Sequence, residues 1–369
     1  MRIAITGAEG FIGWHLRCHI HARKGWQAVS IGREIAADPD RFAAAVHGAD
    51  AVVHLAGVNR ASPEDLLQGN QLAARQLVQA LEAVGFKGRC IYTSSTQAGA
   101  DHPYGKGKQA AGEILAESAA RQGWSQLNLI VPHVYGEYCR PHYNSGVATF
   151  AHGIARDQPF DVNAAGRLEL LHVGDLAEHI LAACEGGAVG SERLHGESIS
   201  VGEVVERLRS LWSQYRADEI PALGSRLELN LFNMLRGYAF PEFYPRAYTL
   251  RKDPRGGLAE VVRAHRGGQM FFSSTNPGFT RGNHYHFHKV ERFAVIAGQA
   301  RIEIRRLFTD EVHSLDVSGD APVFIDMPTL HTHAITNTGS GSLLTLFWSH
   351  EFFDPAAPDT YPEPVRVPQ

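Results

Sequence analysis

The chain has 369 residues, 44% of them hydrophobic and 20% charged, with a formal net charge of −4. That composition fits a globular protein of about two domains and argues against a broad basic face for nucleic acid. No apolar run approaches the roughly 18 residues that a membrane-spanning helix needs. The first strand begins at Ile3 and runs straight into a glycine turn, leaving no room for a signal peptide. Cys18, Cys90, Cys139 and Cys184 are scattered without metal-binding spacing, as expected of inert thiols in a reducing cytoplasm.

Along the first ~180 residues, short β-rich runs alternate with helical stretches. Strands are expected at Ile3–Thr6, Ala28–Ile31, Ala51–Leu55, Arg89–Ser94 and Leu127–Val131. Helices are expected over about Phe11–Arg23, Gly69–Val84, Tyr104–Gln122 and Glu203–Tyr215. This alternation predicts an α/β fold, a Rossmann-type doubly wound parallel sheet covered on both faces. Ala217–Arg246 is rich in Leu, Phe, Tyr and Pro without a clear period, and the domain junction is placed at its end. Residues 1–243 form the expected first domain and 244–369 the second. In the second, Gln269–Ser274, Glu291–Ile296, Gln299–Arg305, Val323–Met327 and Leu343–Trp348 read as strands separated by Gly, Pro, Asn and Asp turns. The expectation there is an all-β barrel or jelly roll.

Gly7, Gly10 and Gly13 follow the first strand and open the first helix, the context in which a glycine turn brings backbone N–H groups against a dinucleotide pyrophosphate. The second strand ends at Ser30-Ile31-Gly32-Arg33, with no acid to bind a free ribose and an arginine suited to a 2′-phosphate, so NADPH is the expected cofactor. Tyr104 and Lys108 share one helical face. A lysine cation beside a phenol lowers its pKa, and Thr93-Ser94-Ser95-Thr96 offers a hydroxyl to the same substrate oxygen. Tyrosine as general acid, lysine as electrostatic partner and serine as hydrogen-bond donor suffice to protonate an oxygen during hydride delivery.

These residues resemble the extended short-chain dehydrogenase/reductase family over roughly residues 1–215. The matching elements are Thr6-Gly7-Ala8-Glu9-Gly10-Phe11-Ile12-Gly13, Asp50 with His54-Leu55-Ala56-Gly57, Ser94-Ser95, Tyr104/Lys108, Pro132-His133-Val134-Tyr135-Gly136 and Val173-Gly174-Asp175. The resemblance implies that Ser95, Tyr104 and Lys108 are catalytic, that Phe11 and Ile12 belong to the cofactor turn, and that Asp50, Leu55 and Ala56 line the adenosine side. Many relatives act on nucleotide-linked sugars. Val131-Pro132-His133 departs from the Arg-x-x-Asn that relatives often carry.

A second pattern comprises Gly278, His284, His286, Glu291 and Gly298, followed by Pro328, His333 and Asn337. Alternate strand residues share a face, so His284 and His286 can point together, with Glu291 and His333 joining from other strands. Three imidazoles and a carboxylate suit zinc or another divalent transition metal. The stretch resembles a cupin, although Leu330 stands where many cupins have glycine, and Arg255-Gly256-Gly257-Leu258-Ala259-Glu260 is similar to an element of cupin epimerases acting on 4-keto-6-deoxy nucleotide sugars.

An extended reductase joined to a cupin resembles a family of bifunctional capsular-polysaccharide enzymes. That resemblance implies a UDP-linked 4-keto-6-deoxy-N-acetylhexosamine substrate, epimerised at carbon 3 by the cupin and reduced at carbon 4 with NADPH, and a homodimer. The epimerisation acid and base are open among His331, Tyr285 and Lys289. The alternative is a single-function ketosugar reductase with a structural cupin.

Overall fold

The computed structural model describes residues 1–366. The chain divides into two compact units, Met1–Thr149 with Val162–Gly202, and Phe150–Asp161 with the chain from Glu203 onward. Residues 203–243, which the sequence pattern groups with the first domain, cluster with the second unit.

In the first unit, β1 (Arg2–Thr6), β2 (Gln27–Ile31), β3 (Ala51–His54), β4 (Arg89–Thr93), β5 (Ser125–Ile130) and β6 (Gly190–Arg193) form one sheet in the order β2-β1-β3-β4-β5-β6. All its pairings are parallel. The strands are short apolar runs because both faces are covered. Ile3, Ile5, Val53, Ile91 and Leu127 face α1 (Phe11–His21) and α4 (Val173–Glu185) through Leu16, Ile20, Leu176 and Ile180. Ala4, Val52, Cys90 and Tyr92 face α2 (Pro63–Ala83) and α3 (Pro103–Gln122) through Leu77, Leu81 and Leu115. The strand order reverses between β1 and β3, the crevice where ligands bind in open α/β sheets. Thr6 registers with Ile31 and His54, so the chain leaves all three strands at this crevice.

From Glu203 onward the second unit holds the body of α5 (Val201–Arg216) and then α6 (Arg226–Ala239). The strands that follow are β7 (Gln269–Thr275), β8 (Thr280–Tyr285), β9 (Glu291–Ala297), β10 (Gln299–Arg306), β11 (Val312–Ser318), β12 (Val323–Met327), β13 (His331–Asn337), β14 (Leu343–Ser349) and β15 (Tyr361–Pro362). One five-stranded sheet runs from the short strand Arg246–Ala247 through β12-β9-β14-β7, and the other is β11-β10-β13-β8-β15. This is the expected double-sheet β architecture.

Helix α6 was not expected. Its start is nevertheless marked by a capping box, in which Ser225 and Glu228 each satisfy the other's backbone N–H. It is buried on most sides, through Leu227, Leu229, Leu231, Phe232, Met234 and Leu235, and its Asn230, Asn233 and Arg236 are buried with them.

The helices are tied to the sheets by a buried polar network. Arg292 on β9 donates to Asp326 on β12 at 2.7 and 2.9 Å, with both side chains almost fully buried. Tyr215 of α5 donates to Asp326 at 2.6 Å, while Arg236 of α6 donates to the Met327 carbonyl at 2.8 Å. Arg292→Leu leaves the Asp326 carboxylate buried without its cation. The expected loss is about 3–5 kcal/mol from the second unit, with Arg292→Leu/Asp326→Leu losing less than the single variant. Hydrogen exchange of β9 and β12 under increasing denaturant measures both; a single variant as stable as the parent contradicts the assignment.

Candidate active sites

The glycine turn at the crevice is shaped by close approach. Gly7 has φ +70°, and a Cβ there would lie 2.9 Å from the Ala56 nitrogen. A Cβ on Gly13 would lie 2.3 Å from the Gly7 carbonyl oxygen. A side chain at Gly7 would push the turn off the residues that follow the third strand, and one at Gly13 would push the helix off the turn. Helix α1 starts immediately afterwards, and its N-cap, Gly10, supplies no side-chain hydrogen bond, so no cap side chain claims the N–H groups of the first turn. Phe11 and Ile12 are half-buried at that helix start. Leu55 donates its N–H to the Thr6 carbonyl, and Ala56 donates to Thr6 Oγ1, both at 3.2 Å, which places the two residues against the turn. Arg33 is exposed just past the end of β2, in the first position of the short helix Arg33–Ala36. A tight glycine cradle with an uncapped helix N-terminus fits a dinucleotide.

Asp50 corrects the sequence expectation. It precedes β3, at the opposite end of the strand from Leu55, and its carboxylate accepts the Arg2 N–H at 2.7 Å. At about 3.3 Å per residue, roughly 13 Å of strand separates it from His54. Asp50 therefore ties off the far edge of the sheet instead of lining the adenosine side.

Beneath the cradle, Thr6 and His54 form a relay that the sequence reading did not single out. The Thr6 hydroxyl accepts the Ala56 N–H and shares a 2.7 Å hydrogen bond with His54 Nδ1, whose direction is set by the ring tautomer. His54 Nε2 is buried and without a hydrogen-bond partner. Burial, reinforced by the Lys108 charge, lowers the His54 pKa to about 3. Asn70, in the middle of α2, fixes the neighbouring loop by accepting from the Val58 N–H and donating to the Val58 and Leu66 carbonyls.

Of the three expected catalytic residues, Ser95 and Tyr104 meet, and Lys108 engages other groups. The Tyr104 phenol shares a hydrogen bond with Ser95; burial raises its pKa and Ser95 only partly opposes this. Lys108 does not act on Tyr104 directly. Its ammonium donates to the Thr93 carbonyl at 2.7 Å and lies 4.5 Å from the centre of the Tyr92 ring. Burial lowers the Lys108 pKa to about 7. In the unliganded chain the phenol is thus held protonated, contrary to the lowering inferred from the spacing. His133, at the departure from the family pattern, hydrogen-bonds Ser145 Oγ at 3.0 Å.

In the second unit, one ligand atom from each of His284, His286, Glu291 and His333 falls within a group no wider than 4.8 Å. His284 on β8 is the direct cross-strand partner of His333 on β13, after a register shift between Gly282 and His284. His286 lies just past β8, and Glu291 enters from β9 in the other sheet.

The ring tautomers follow from acceptors that cannot donate. His286 Nδ1 donates to the Asp359 carbonyl at 2.5 Å, and His333 Nδ1 donates to the His331 carbonyl at 3.1 Å. With Nδ1 so engaged, both Nε2 atoms face the Glu291 carboxylate, at 3.1 and 3.4 Å, and His286 hydrogen-bonds it. His333 Nε2 is buried with no hydrogen-bond partner. Burial lowers the His284 pKa to about 3, helped by His333 and His286. Burial works against ionised Glu291, yet His286 and His333 hold its pKa well below the usual carboxylate range. Three imidazole nitrogens and a carboxylate gathered at one point fit a divalent cation, which would take the place of the protons they share.

The other motif residues sort by placement. Leu330 occupies the glycine position of the second cupin motif at φ +58°, a region that branched and bulky side chains seldom adopt. Its N–H donates to the His286 carbonyl at 2.8 Å and its carbonyl accepts from Leu307, so the loop keeps the glycine-like turn despite the substitution. Of the three acid–base candidates, His331 shares the strand face of His333 but packs against Phe240. Tyr285 is fully buried and stacked on Tyr361, and Lys289 donates to the Pro358 carbonyl at 2.9 Å. Arg255 sits in an exposed hairpin and pairs with Asp253 at 2.6 Å.

Residues 3–202 match the NAD dependent epimerase/dehydratase family, and residues 251–361 match the polysaccharide biosynthesis C-terminal domain. The chain is 32% identical over 366 residues to UDP-2-acetamido-2,6-beta-L-arabino-hexul-4-ose reductase of Pseudomonas aeruginosa, covering 98% of each chain. It is also similar to the crystal structure of the capsular polysaccharide assembling protein CapF from Staphylococcus aureus. That match has 30% identity and a TM-score of 0.63, covering 99% of this chain and all of that one. RMD from Pseudomonas aeruginosa, complexed with NADPH, shares the fold at 22% identity and a TM-score of 0.57, over 65% of this chain and 100% of that one. The chain therefore belongs to the NAD dependent epimerase/dehydratase family, as a CapF-type protein whose reductase-like unit is joined to a polysaccharide biosynthesis C-terminal domain.

Proposed function

We propose that the chain acts on a UDP-linked 4-keto-6-deoxy-N-acetylhexosamine in two steps. The C-terminal unit epimerises carbon 3 of UDP-2-acetamido-2,6-dideoxy-L-arabino-hexos-4-ulose, and the N-terminal unit reduces carbon 4 to give UDP-2-acetamido-2,6-dideoxy-L-talose. The observation that carries this reading is the coexistence, in one chain, of the Ser95–Tyr104–Lys108 constellation and the His284–His286–Glu291–His333 cluster. The similarity to a reductase of the matching UDP-ketosugar supports the substrate class.

NADPH, when bound, would supply the hydride, with Gly7, Gly10 and Gly13 at its pyrophosphate and the exposed Arg33 at its 2′-phosphate. Tyr104 then gives its proton to the carbon-4 oxygen, while Ser95 hydrogen-bonds the same oxygen and Lys108 contributes positive charge behind it. A zinc or similar ion held by the four ligands would supply fixed positive charge beside the oxygen that becomes negative when the carbon-3 proton leaves. The 4-keto group makes that proton acidic, which places epimerisation before reduction.

A homodimer is supported by β7, the terminal strand of its sheet, which exposes Met270 and Phe272 beside an unpaired edge. Four scattered, buried cysteines fit a reducing, cytoplasmic setting, and among the described residues no helix is long and apolar enough to cross a membrane. The printed name of the Pseudomonas relative mentions only reduction, which favours, as the second reading, a plain ketosugar reductase with a structural cupin.

Proton NMR of the ketosugar in deuterated water separates the two. Deuterium is expected to enter carbon 3 without NADPH, and a reduced 6-deoxy-talose product to form when NADPH is added. Reduction with no exchange at carbon 3 would leave only the reductase. Tyr104→Phe is expected to slow reduction by about 10²–10⁴-fold while carbon-3 exchange continues at the parent rate. Glu291→Gln is expected to abolish exchange, and with it formation of the talose product from the unepimerised ketosugar, and to lower bound zinc from one ion per chain to a small fraction, as counted by equilibrium dialysis. Loss of carbon-3 exchange in Tyr104→Phe, or talose formation at the parent rate in Glu291→Gln, would contradict the division of labour.

A further inference from the structure

The motif Pro358-Asp359-Thr360-Tyr361, near the end of the chain, has no role in the reaction as described so far. The structure assigns Asp359 as the residue that positions the ligand loop of the C-terminal unit, an inference that rests on the metal reading above. Two contacts of different kinds carry it. The Asp359 backbone carbonyl accepts the His286 Nδ1 proton at 2.5 Å, which fixes the ring and turns Nε2 to the Glu291 side of the cluster. The Asp359 carboxylate accepts three successive backbone N–H groups just beyond His286. Phe287 donates to Oδ1 at 2.9 Å, and His288 and Lys289 donate to Oδ2 at 2.9 and 2.8 Å.

One residue thus holds both the ring of His286 and the turn that leads from it to Glu291. A carboxylate spanning three consecutive N–H groups defines the path of that turn, because each donor fixes one peptide plane. Orientation of a metal-binding imidazole by a hydrogen bond to its second nitrogen typically accounts for about 10–100-fold in metal affinity.

The segment carrying Asp359 is itself anchored. Lys289 donates to the Pro358 carbonyl at 2.9 Å and to Thr360 Oγ1 at 3.3 Å. β15 pairs with β8 through His284–Pro362 and Tyr285–Tyr361. Arg305 donates to the carbonyls of Pro364 and Val365 at 2.8 and 2.6 Å. Asp359 holds φ +39° within this strap, a conformation that aspartate tolerates better than most side chains.

The test measures zinc affinity directly, by competition with a chromophoric chelator, on the full chain and three variants. Asp359→Ala removes the acceptor for all three N–H groups and is expected to weaken zinc binding by about 10–100-fold. Asp359→Asn keeps one oxygen acceptor and sets an amide against the remaining N–H, so a smaller loss of roughly tenfold is expected. Asp354→Ala is the control in the same tail. Its carboxylate accepts only the local Ala356 N–H, at 2.9 Å, and its zinc affinity is expected to match the parent. Cobalt substitution adds a second readout, since a displaced His286 changes the visible ligand-field bands even at saturating metal.

Parent-like zinc affinity and cobalt spectra in both Asp359 variants overturn the assignment while leaving the metal reading intact. An equal loss in Asp354→Ala overturns it as well, because any disturbance of the tail would then suffice. A parent chain that takes up no zinc overturns the metal reading and this inference together. If Asp359→Ala does not fold, as judged by circular dichroism, Asp359→Asn decides.

Discussion

The constraint on which both sites depend is the cost of burying a polar group without a partner, about 1–3 kcal/mol for each group. Folding normally removes such groups from the interior. Here they are kept where a ligand is expected. His54 Nε2 lies under the glycine cradle and His333 Nε2 lies at the four-ligand cluster, each buried and unpartnered in the unliganded chain. In both places the opposite ring nitrogen is firmly engaged, by Thr6 in one case and by the His331 carbonyl in the other. The surrounding architecture spends hydrogen bonds to keep those rings oriented. The left-handed Leu330 turn and the three N–H groups gathered on Asp359 belong to the same effort. Backbone conformations that cost of order 1 kcal/mol persist only where neighbours over-determine them, and Leu330 is pinned on both its N–H and its carbonyl.

What was legible in the sequence was local. The turn from Gly7 to Gly13 follows a strand and opens a helix, so its geometry is set within a few residues. The Tyr104–Lys108 spacing and the His284–His286 alternation are likewise short-range periodicities. Asp50 shows the limit: a motif that correctly marks a strand does not say which end of it meets the ligand. That depends on the direction of β3 in the sheet, which the parallel pairing with β1 decides. Helix α6 shows another. Its capping box was readable at Ser225–Glu228, but the pattern did not say that the polar face is buried too, with Asn230, Asn233 and Arg236 inside.

Long-range partners were not legible at all. Asp359 lies 73 residues from His286, and Tyr215 lies 111 residues from Asp326. No spacing rule connects residues at such separations; closure of the barrel does. The same holds for energetic balance. Spacing places Lys108 on the face of Tyr104, yet only the packed structure shows the ammonium turned to the Thr93 carbonyl and Tyr92, leaving burial as the dominant influence on the phenol. The direction of the Tyr104 shift is therefore opposite to the one the pair suggests in isolation.

That reversal is consistent with the chemistry proposed, because the two sites need opposite proton states at the same pH. A general acid must enter the reaction carrying its proton, and a buried phenol with a raised pKa does so throughout the neutral range. A cation site must enter without protons, since each one would have to be displaced before a ligand could bind metal. His284 and His333 have depressed pKa values, chiefly through burial, and Glu291 is held ionised by the two imidazoles facing it. For these three groups the folded pKa lies below the ordinary value. They therefore favour the unprotonated state in which a ligand binds a cation. Burial thus serves both units with opposite results: it retains the proton on a phenol, whose charged form is the deprotonated one, and expels it from imidazoles, whose charged form is the protonated one.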